Sequence, residues 1–425
     1  MDSKLYWKYI DILKNELIPA MGCTEPIAVA YAGALARKTL GTMPEQVKLT
    51  VSGNIIKNVK SVIVPHTGGR KGLQTAVMAG ICYGDAEKEL EVLSEVSDEE
   101  LQRLDAAICQ TEITVTESSN DYNFDIQAEV FSGQESALVR IVDKHTNVVC
   151  IAKNDTIFVS RALPENNASL EETEDCLSIE GIVEFAGTAD IADIREILDR
   201  QISYNMDIAE TGMKEEYGAA IGRILMRAYG GSVQNRAKAW AAAGSDARMS
   251  GCEKPVIINS GSGNQGITAS VPVIIYAREC GASQDLLYRA PLVSNLVTIH
   301  LKHGIGSLSA YCGATSAGAG AGAGICYLYG GKYDEIAHTV VNALAINSGM
   351  ICDGAKASCA AKIASAVEAG LLGWQMYAHD SQFYGGDGIV ITGVENTIQA
   401  VNRVARDGMK STDKEIIQIM LGEQE

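Results

Sequence analysis

Residues 307–324 read SLSAYCGATSAGAGAGAG, and this run of small residues says more about the fold than any other stretch of the chain. The small-apolar part continues to Leu328 and is shorter than the roughly 20 apolar residues of a membrane-spanning helix. Glycine and alanine allow neighbouring backbones to approach closely. The run therefore predicts a buried central helix with close helix–helix contacts.

Cys312 lies in this run, and two further cysteines, Cys352 and Cys359, lie in NSGMICDGAKASCAAKIASA at residues 347–366. Thiolates select zinc or iron–sulfur clusters over harder cations. Three such ligands are one short of the four-thiolate set of an electron-carrying cluster and would leave one metal corner open to substrate. The alternative is that all three are packing residues, because cysteine is often buried and the chain has 11. The chain has no CxxC pair, which argues against a zinc ribbon, a thioredoxin-type site or a ferredoxin.

Composition limits the remaining function classes. Apolar residues make up 47% of the chain and aromatic residues only 6%, so we expect a core of small and aliphatic side chains. The formal charge of −18 disfavours nucleic acid or an anionic membrane as a partner, since both are polyanions. The first 20 residues lack the pattern of a signal peptide, and free cysteines without a secretory signal indicate a cytoplasmic protein.

Hydrophobic periodicity predicts an α+β fold in three parts. N-terminal helices carry the segment MGCTEP (1–41), an α+β domain follows (42–177), and the remainder is a mostly all-α catalytic domain built around the Gly/Ala-rich helix (178–425). The acidic stretch PENNASLEETEDC, residues 164–176, is predicted to be an exposed connector. Alternating β-branched residues predict strands in five segments, namely 47–53, 60–65, 108–117, 126–133 and 137–143.

Four segments carry a family resemblance: MGCTEPIAVAYAGALA, INSGSGNQGITASVPVII, the Cys312 run and MICDGAKASC. The C-terminal half resembles the α-chain of the iron–sulfur L-serine dehydratases, and the whole chain resembles their shorter relatives, the L-cysteine desulfidases. The resemblance implies that Cys312, Cys352 and Cys359 hold a [4Fe–4S] cluster with one free iron. Where the dehydratases have a Ser-Ser-Ser-His-Thr stretch, this chain has Met-Gly-Cys-Thr-Glu, which favours the desulfidase branch.

The implied activity is β-elimination of L-cysteine to pyruvate, ammonia and hydrogen sulfide by a homodimer acting on this small amino acid. An open iron is a Lewis acid that stabilises the departing sulfur. Three alternatives remain: an iron–sulfur L-serine dehydratase, a pyridoxal-phosphate-dependent β-eliminase, and a cluster-bearing redox sensor. The segment SGSGNQG resembles the asparagine loop of pyridoxal enzymes, but neither Lys238 nor Lys254 lies in the Ser-x-Lys context that these enzymes use. A redox sensor has no need of Gly-rich anion-binding loops.

Cys23 is the candidate catalytic base. The residues that follow it, Thr24-Glu25-Pro26, suit the start of a helix, and a helix N-terminus lowers the pKa of a thiol. We therefore predict a thiolate that accepts the Cα proton of the substrate. The alternatives are a packing residue or a fourth cluster ligand that leaves when substrate arrives.

Substrate-binding residues are predicted in segments rich in glycine and small polar residues, because such segments offer N–H groups to a carboxylate. Arg70 is a further candidate for a carboxylate partner or a surface charge, and His300 and His303 are weaker candidates for positions near the cluster. The predicted substrate-binding set is Thr24, Asn54, Asn58, His66, Thr67, Gly68, Ser262 and Asn264.

Overall fold

A computed structural model describes residues 1–163, 176–306 and 308–422, so all of the predicted connector except Cys176 lies outside the described residues. The helices of the described residues are α1 (Ser3–Glu16), α2 (Thr24–Leu40), α3 (Gly53–Val59), α4 (Leu73–Tyr83), α5 (Asp98–Gln110), α6 (Ile179–Thr188), α7 (Ile191–Lys214), α8 (Ile221–Tyr229), α9 (Val233–Met249), α10 (Gly263–Glu279), α11 (Gln284–His303), α12 (Gly313–Leu328), α13 (Tyr333–Ile346), α14 (Cys359–Ala378), α15 (Val394–Arg403) and α16 (Lys410–Leu421). The strands are β1 (Pro19–Met21), β2 (Gln46–Val51), β3 (Glu112–Glu117), β4 (Asp125–Ser132), β5 (Glu135–Val142), β6 (Val148–Lys153), β7 (Thr156–Ser160) and β8 (Pro255–Ile257). The predicted α+β class is confirmed.

Six strands form one sheet in the order β3-β2-β4-β5-β6-β7. Only the β2–β3 pair is parallel, and the other neighbours are antiparallel. The alternation in β2 places its apolar residues on one face of the sheet: Val47, Leu49 and Val51 are buried, whereas Lys48 is exposed. Helix α2 packs on β4 and β5, and α4 packs on α2. The sheet and these two helices share one hydrophobic core with α9, α10 and α12.

A two-stranded antiparallel ribbon ties the N-terminal segment to the helical part of the chain. In this ribbon β1 pairs with β8, so that Pro19 faces Ile257 and Met21 faces Pro255. Cys23 follows β1 by two residues, and the loop that begins α10 follows β8. The ribbon therefore brings Cys23 next to the Gly/Ser/Asn loop, although more than 230 residues separate them in sequence.

The predicted buried central helix is confirmed as α12, which packs against α10, α11, α13 and α14. Its glycines mark the close contacts. A Cβ at Gly320 would lie 2.6 Å from the carbonyl oxygen of Ser294 on α11, and a Cβ at Gly322 would lie 2.5 Å from that of Gly370 on α14. Both distances are too short for any side chain, so the GAGAGAG pattern sets the separation between these helices.

One predicted strand is wrong, and two strands of the sheet were not predicted. Residues 60–65 do not form a strand; they form a loop with one isolated bridge between Ile63 and Lys71. The apolar alternation correctly indicated which side chains are buried, because Val62 and Val64 both lie in the interior. They lie there as part of a loop. The segment before it is helix α3, and the sheet has two further strands, β6 and β7, that were not predicted.

None of the described helices combines the length and apolar character needed to cross a membrane.

Substituting Gly322 should test the close packing of α12. A methyl group at this position meets backbone rather than a movable side chain, so we expect Gly322→Ala to lower the free energy of unfolding by about 1–3 kcal/mol. The matched control is Gly187→Ala on α6, where a Cβ meets nothing within 4 Å and the change should stabilise by about 0.4–1 kcal/mol. Urea denaturation measures both. Equal unfolding midpoints for the two variants would contradict the packing interpretation.

Candidate active site

Four helices begin at the wall of one cavity of about 110 Å³. Cys23, Ser262 and Cys312 are the N-cap residues of α2, α10 and α12, and Cys359 is the first residue of α14. None of the four N-caps has a side-chain hydrogen bond to its helix. The first-turn N–H groups and the partial positive charge of helix N-termini favour an anionic ligand. The volume is several times the roughly 10–15 Å³ that one water molecule requires, so a small molecule fits.

The three cysteines of the predicted cluster line this cavity together. A short bridge between Tyr311 and Ile351 closes the 40-residue interval between the first two, and the Cys352 N–H donates to the carbonyl of Ala310 at 2.6 Å. Hydrogen bonding between the Cys312 and Cys352 thiols is the largest influence on the pKa of each. The Cys359 thiol lies 3.7 Å from the carbonyl oxygen of Gly354.

Cys312 and Cys352 shift each other's pKa in opposite directions. The hydrogen bond from Cys312 lowers the pKa of Cys352 to about 6, and the nearby Lys57 acts in the same direction against the effect of burial. The same hydrogen bond and burial raise the pKa of Cys312. Lys57 is itself buried and forms an ion pair with Asp413 of α16. A thiolate is therefore already favoured at one of the predicted ligands.

The donor set fits an iron–sulfur cluster better than a single metal ion. Within the described ranges, no three His, Cys, Asp or Glu side chains converge as they would around one ion. In a four-iron cluster each thiolate binds a different iron, so the sulfurs must surround a body rather than a point. Three thiols, two glycines (Gly313 and Gly354) and a buried lysine, Lys302, line the cavity, so the donors that a cluster takes are present together. Cluster binding would open the Cys312–Cys352 hydrogen bond.

Cys23 is buried on the same cavity and packs near Cys359. Its thiol donates to Oε2 of Glu25 at 3.1 Å, and the Thr24 hydroxyl donates to the same oxygen at 3.2 Å. The predicted lowering of the thiol pKa is wrong. Burial and the adjacent Glu25 carboxylate raise the pKa of Cys23 well above its usual value and outweigh the helix N-terminus and the positive charge of Arg248.

Glu25 is ionised although it is buried. Burial acts to raise its pKa, but His145, Cys23 and Arg248 together hold the pKa at about 2. The His145 ring, which lies in the turn between β5 and β6, has its Nε2 atom 3.9 Å from Oε1 of Glu25. This separation is an ion-pair distance and is too long for a hydrogen bond. Cys23 and His145 therefore both lie next to the Glu25 carboxylate at the cavity.

Three of the predicted substrate-binding residues line the cavity: Asn58, Ser262 and Asn264. Thr24 donates to Glu25 but does not line the cavity. Asn54, on α3 with Asn58, donates to Asp413 at 2.7 Å and supports the C-terminal helix instead.

The turn at residues 66–70 lies away from the cavity. His66 pairs with Glu253 at 3.3 Å, the Thr67 hydroxyl donates to the carbonyl of Val64, and Gly68 adopts a positive φ of 65° to make the turn. Arg70 binds Asp105 through both Nε and Nη2, so it is a surface charge pair. His300 pairs with Glu395 at 2.7 Å, and neither His300 nor His303 lines the cavity.

Several cavity residues were not predicted, namely Glu25, His145, Arg248, Gln265 and Lys302. Glu25 and Gln265 stand inside segments that carry the family resemblance, so their position in those segments was an available signal. Arg248 is a lone cation at the end of an alanine-rich helix, which is a weaker signal. His145 lies in an ordinary polar turn, and nothing in its sequence context indicates the cavity.

Comparison with known proteins finds one family model and several relatives that match over most of the chain. Residues 87–418 match the family model of the serine dehydratase alpha chain. The UPF0597 protein of Desulfitobacterium hafniense is 55% identical over 422 residues, which cover 99% of this chain and 98% of that protein. The corresponding protein of Lachnoclostridium phytofermentans is 47% identical over 430 residues (98% and 100%), and that of Treponema denticola is 42% identical over 430 residues (99% and 99%).

Proposed function

This chain belongs to the serine dehydratase α-chain family and to the UPF0597 proteins, and on that premise we propose that it is an L-cysteine desulfidase. The reaction breaks the Cα–H and Cβ–S bonds of L-cysteine and releases hydrogen sulfide. The resulting aminoacrylate hydrolyses without enzyme to pyruvate and ammonia. The family name supports β-elimination from a small amino acid, and the choice of cysteine over serine is the finer part of the proposal.

The observation that carries the proposal is the convergence of Cys312, Cys352, Cys359 and Cys23 on one cavity. The first three are proposed to hold a [4Fe–4S] cluster. When bound, such a cluster with one iron free of protein ligands supplies a Lewis acid that stabilises the departing sulfide. A soft iron–sulfide centre prefers a thiolate over a hydroxyl group, which favours L-cysteine.

The groups around Cys23 are suited to moving the Cα proton. Cys23 is the proposed base and would accept the Cα proton as a thiolate. In the structure it is a thiol that donates to Glu25, so its raised pKa must fall when substrate binds before this thiolate forms. The first turn of α2 and the charge of Arg248 stabilise this thiolate. His145, beside Glu25, is positioned to balance the charge as the proton moves.

The chain lacks a histidine in the MGCTEP segment, and this bears on the leaving group. Hydroxide leaves poorly unless a proton is delivered to it, whereas sulfide leaves more readily. In place of a histidine this segment has the Cys23 thiol and the ionised Glu25 carboxylate, and an ionised carboxylate cannot donate a proton to hydroxide. This argument supports desulfuration over dehydration.

The expected result is that L-cysteine exceeds L-serine in kcat/KM by at least about tenfold, which is about 1.4 kcal/mol of transition-state preference. Pyruvate release from each amino acid is measured under strict anaerobiosis, with sulfide quantified in the cysteine reaction. D-cysteine serves as the control for sulfide released without enzyme. Equal or faster turnover of L-serine would assign the protein to the dehydratase reaction instead.

A further inference from the structure

The guanidinium of Arg248 is a buried cation without a hydrogen-bond partner at two of its nitrogens. Arg248 lies near the end of α9, is 2% exposed and lines the cavity. Its Nε and Nη2 atoms are buried and have no hydrogen-bond partner among the residues that the structure describes. Leaving such donors unpaired in a protein interior is costly, and a native structure normally has a reason for it.

The two unpaired atoms are those that bind carboxylates elsewhere in this chain. Arg70 binds Asp105 through Nε and Nη2 at 2.6 and 2.5 Å. Arg140 binds Asp125 through the same two atoms, at 2.9 Å each. This edge of a guanidinium presents two parallel N–H groups that match the two oxygens of a carboxylate. Arg248 offers the same edge without a carboxylate to fill it.

The wall beside Arg248 is also open to a polar ligand. Asn264 Oδ1 and Gln265 Oε1, in the first turn of α10, are buried without a hydrogen-bond partner in the described residues, and both side chains line the cavity. Gly263 packs against the guanidinium so closely that any Cβ there would overlap Nε. A side chain at Gly263 would therefore displace the guanidinium of Arg248.

The other charged groups of the cavity do not occupy this edge. Lys302 donates to the carbonyl of Gly306 and lies near Cys312 and Cys352 rather than near Cys23. Glu25 feels the charge of Arg248, but the described residues include no ion pair between the two. Among the described residues no carboxylate completes Arg248, which leaves this edge to a ligand.

We propose that Arg248 binds the α-carboxylate of the substrate through Nε and Nη2, while the amide oxygens of Asn264 and Gln265 accept hydrogen bonds from its α-ammonium group. This inference rests on the proposed function only in taking an amino acid as the substrate. It defines the substrate class as a free α-amino acid, since an amine or an amino acid with a blocked carboxylate lacks the group that Arg248 requires.

Two thiol ligands that differ in the carboxylate test the assignment. 3-Mercaptopropionate has the carboxylate and lacks the amine, whereas cysteamine has the amine and lacks the carboxylate. Their dissociation constants for the anaerobically purified protein are measured by calorimetry. Because one charged hydrogen-bonding group contributes about 1.5–3 kcal/mol, Arg248→Met should weaken 3-mercaptopropionate by about 10- to 150-fold. Binding of cysteamine should be unchanged or tighter.

Arg236→Met is the matched control, because Arg236 lies on the same helix and pairs with Glu279 at the surface. This variant should leave both dissociation constants unchanged. If Arg248→Met does not fold, Arg248→Lys replaces it. Lysine keeps the charge without the two-donor edge, so the preference for 3-mercaptopropionate should still fall by about tenfold.

An unchanged ratio of the two dissociation constants in the folded Arg248 variant would overturn the assignment. An equal loss for both ligands would overturn it too, because that result indicates a general disturbance of the cavity. The measurement does not depend on turnover. A protein that fails to release sulfide from L-cysteine but keeps the Arg248-dependent ratio would contradict the proposed function alone.

Discussion

Replacing any one of Cys312, Cys352 and Cys359 by serine should abolish both iron binding and activity. Each thiolate is proposed to hold a separate iron of one cluster, and a serine hydroxyl is a harder and poorer ligand for that iron. The wild-type protein, purified without oxygen, should contain about four iron and four acid-labile sulfide per chain. Iron and sulfide analysis of each variant, beside pyruvate release, measures the effect.

Cys280→Ser is the matched control for these variants. Cys280 caps the far end of α10, is exposed and lies outside the cavity. Its substitution should leave iron content and activity unchanged. Full iron retention in all three cavity variants would refute the ligand assignment. A pyridoxal signal in the purified protein, without iron, would instead support the pyridoxal alternative.

Replacing Cys23 by alanine should reduce kcat by about 10²–10⁴ while the cluster is retained. The reason is that Cys23 is proposed to exchange the Cα proton, and alanine removes the only sulfur that contacts Glu25 among the described residues. Two measurements accompany the rate: iron content, and exchange of the substrate Cα proton with deuterated solvent. Exchange should stop in the variant.

Glu25→Gln tests the same proton path from its other side. Glutamine keeps the size of the side chain but removes the negative charge that raises the pKa of Cys23, so the variant should keep the cluster and begin Cα exchange at a lower pH than the wild-type protein. Cys252→Ala, which removes a buried thiol outside the cavity, is the control and should keep its activity. A rate loss well below a hundredfold for Cys23→Ala would favour a packing role. Loss of iron would identify Cys23 as a cluster ligand.

Much of the fold followed from side-chain size and alternation. The Gly/Ala run predicted α12 because only small residues allow the approach seen at Gly320 and Gly322. The strand at residues 46–51 followed from its alternation, since its buried face lies on the core. The same rule failed at residues 60–65, where Val62 and Val64 are buried from a loop, because alternation reports burial and not hydrogen bonding. The homodimer and the domain boundaries stay predictions.

The candidate site was predictable where a residue stood inside an unusual local segment. Six predicted residues stood in such segments and line one cavity, namely Cys23, Ser262, Asn264, Cys312, Cys352 and Cys359. The turn at residues 66–68 was equally rich in polar and glycine residues, but its contacts face Glu253 and Val64. Local composition cannot separate these cases, because the direction of a loop depends on elements that are distant in sequence.

The sequence by itself determined the buried central helix. It also identified Cys312, Cys352 and Cys359 as the thiols that lie together, since both results depend on the type and spacing of nearby residues. Only the tertiary structure decided that the pKa of Cys23 is raised and that Arg248 lies on the cavity wall. The helix start at Thr24 predicts a lowered thiol pKa, but burial and the Glu25 carboxylate raise it. Arg248 meets the cavity because α9 and α10 pack together. Electrostatic effects depend on distance and burial, and these are set by contacts between segments that are remote along the chain.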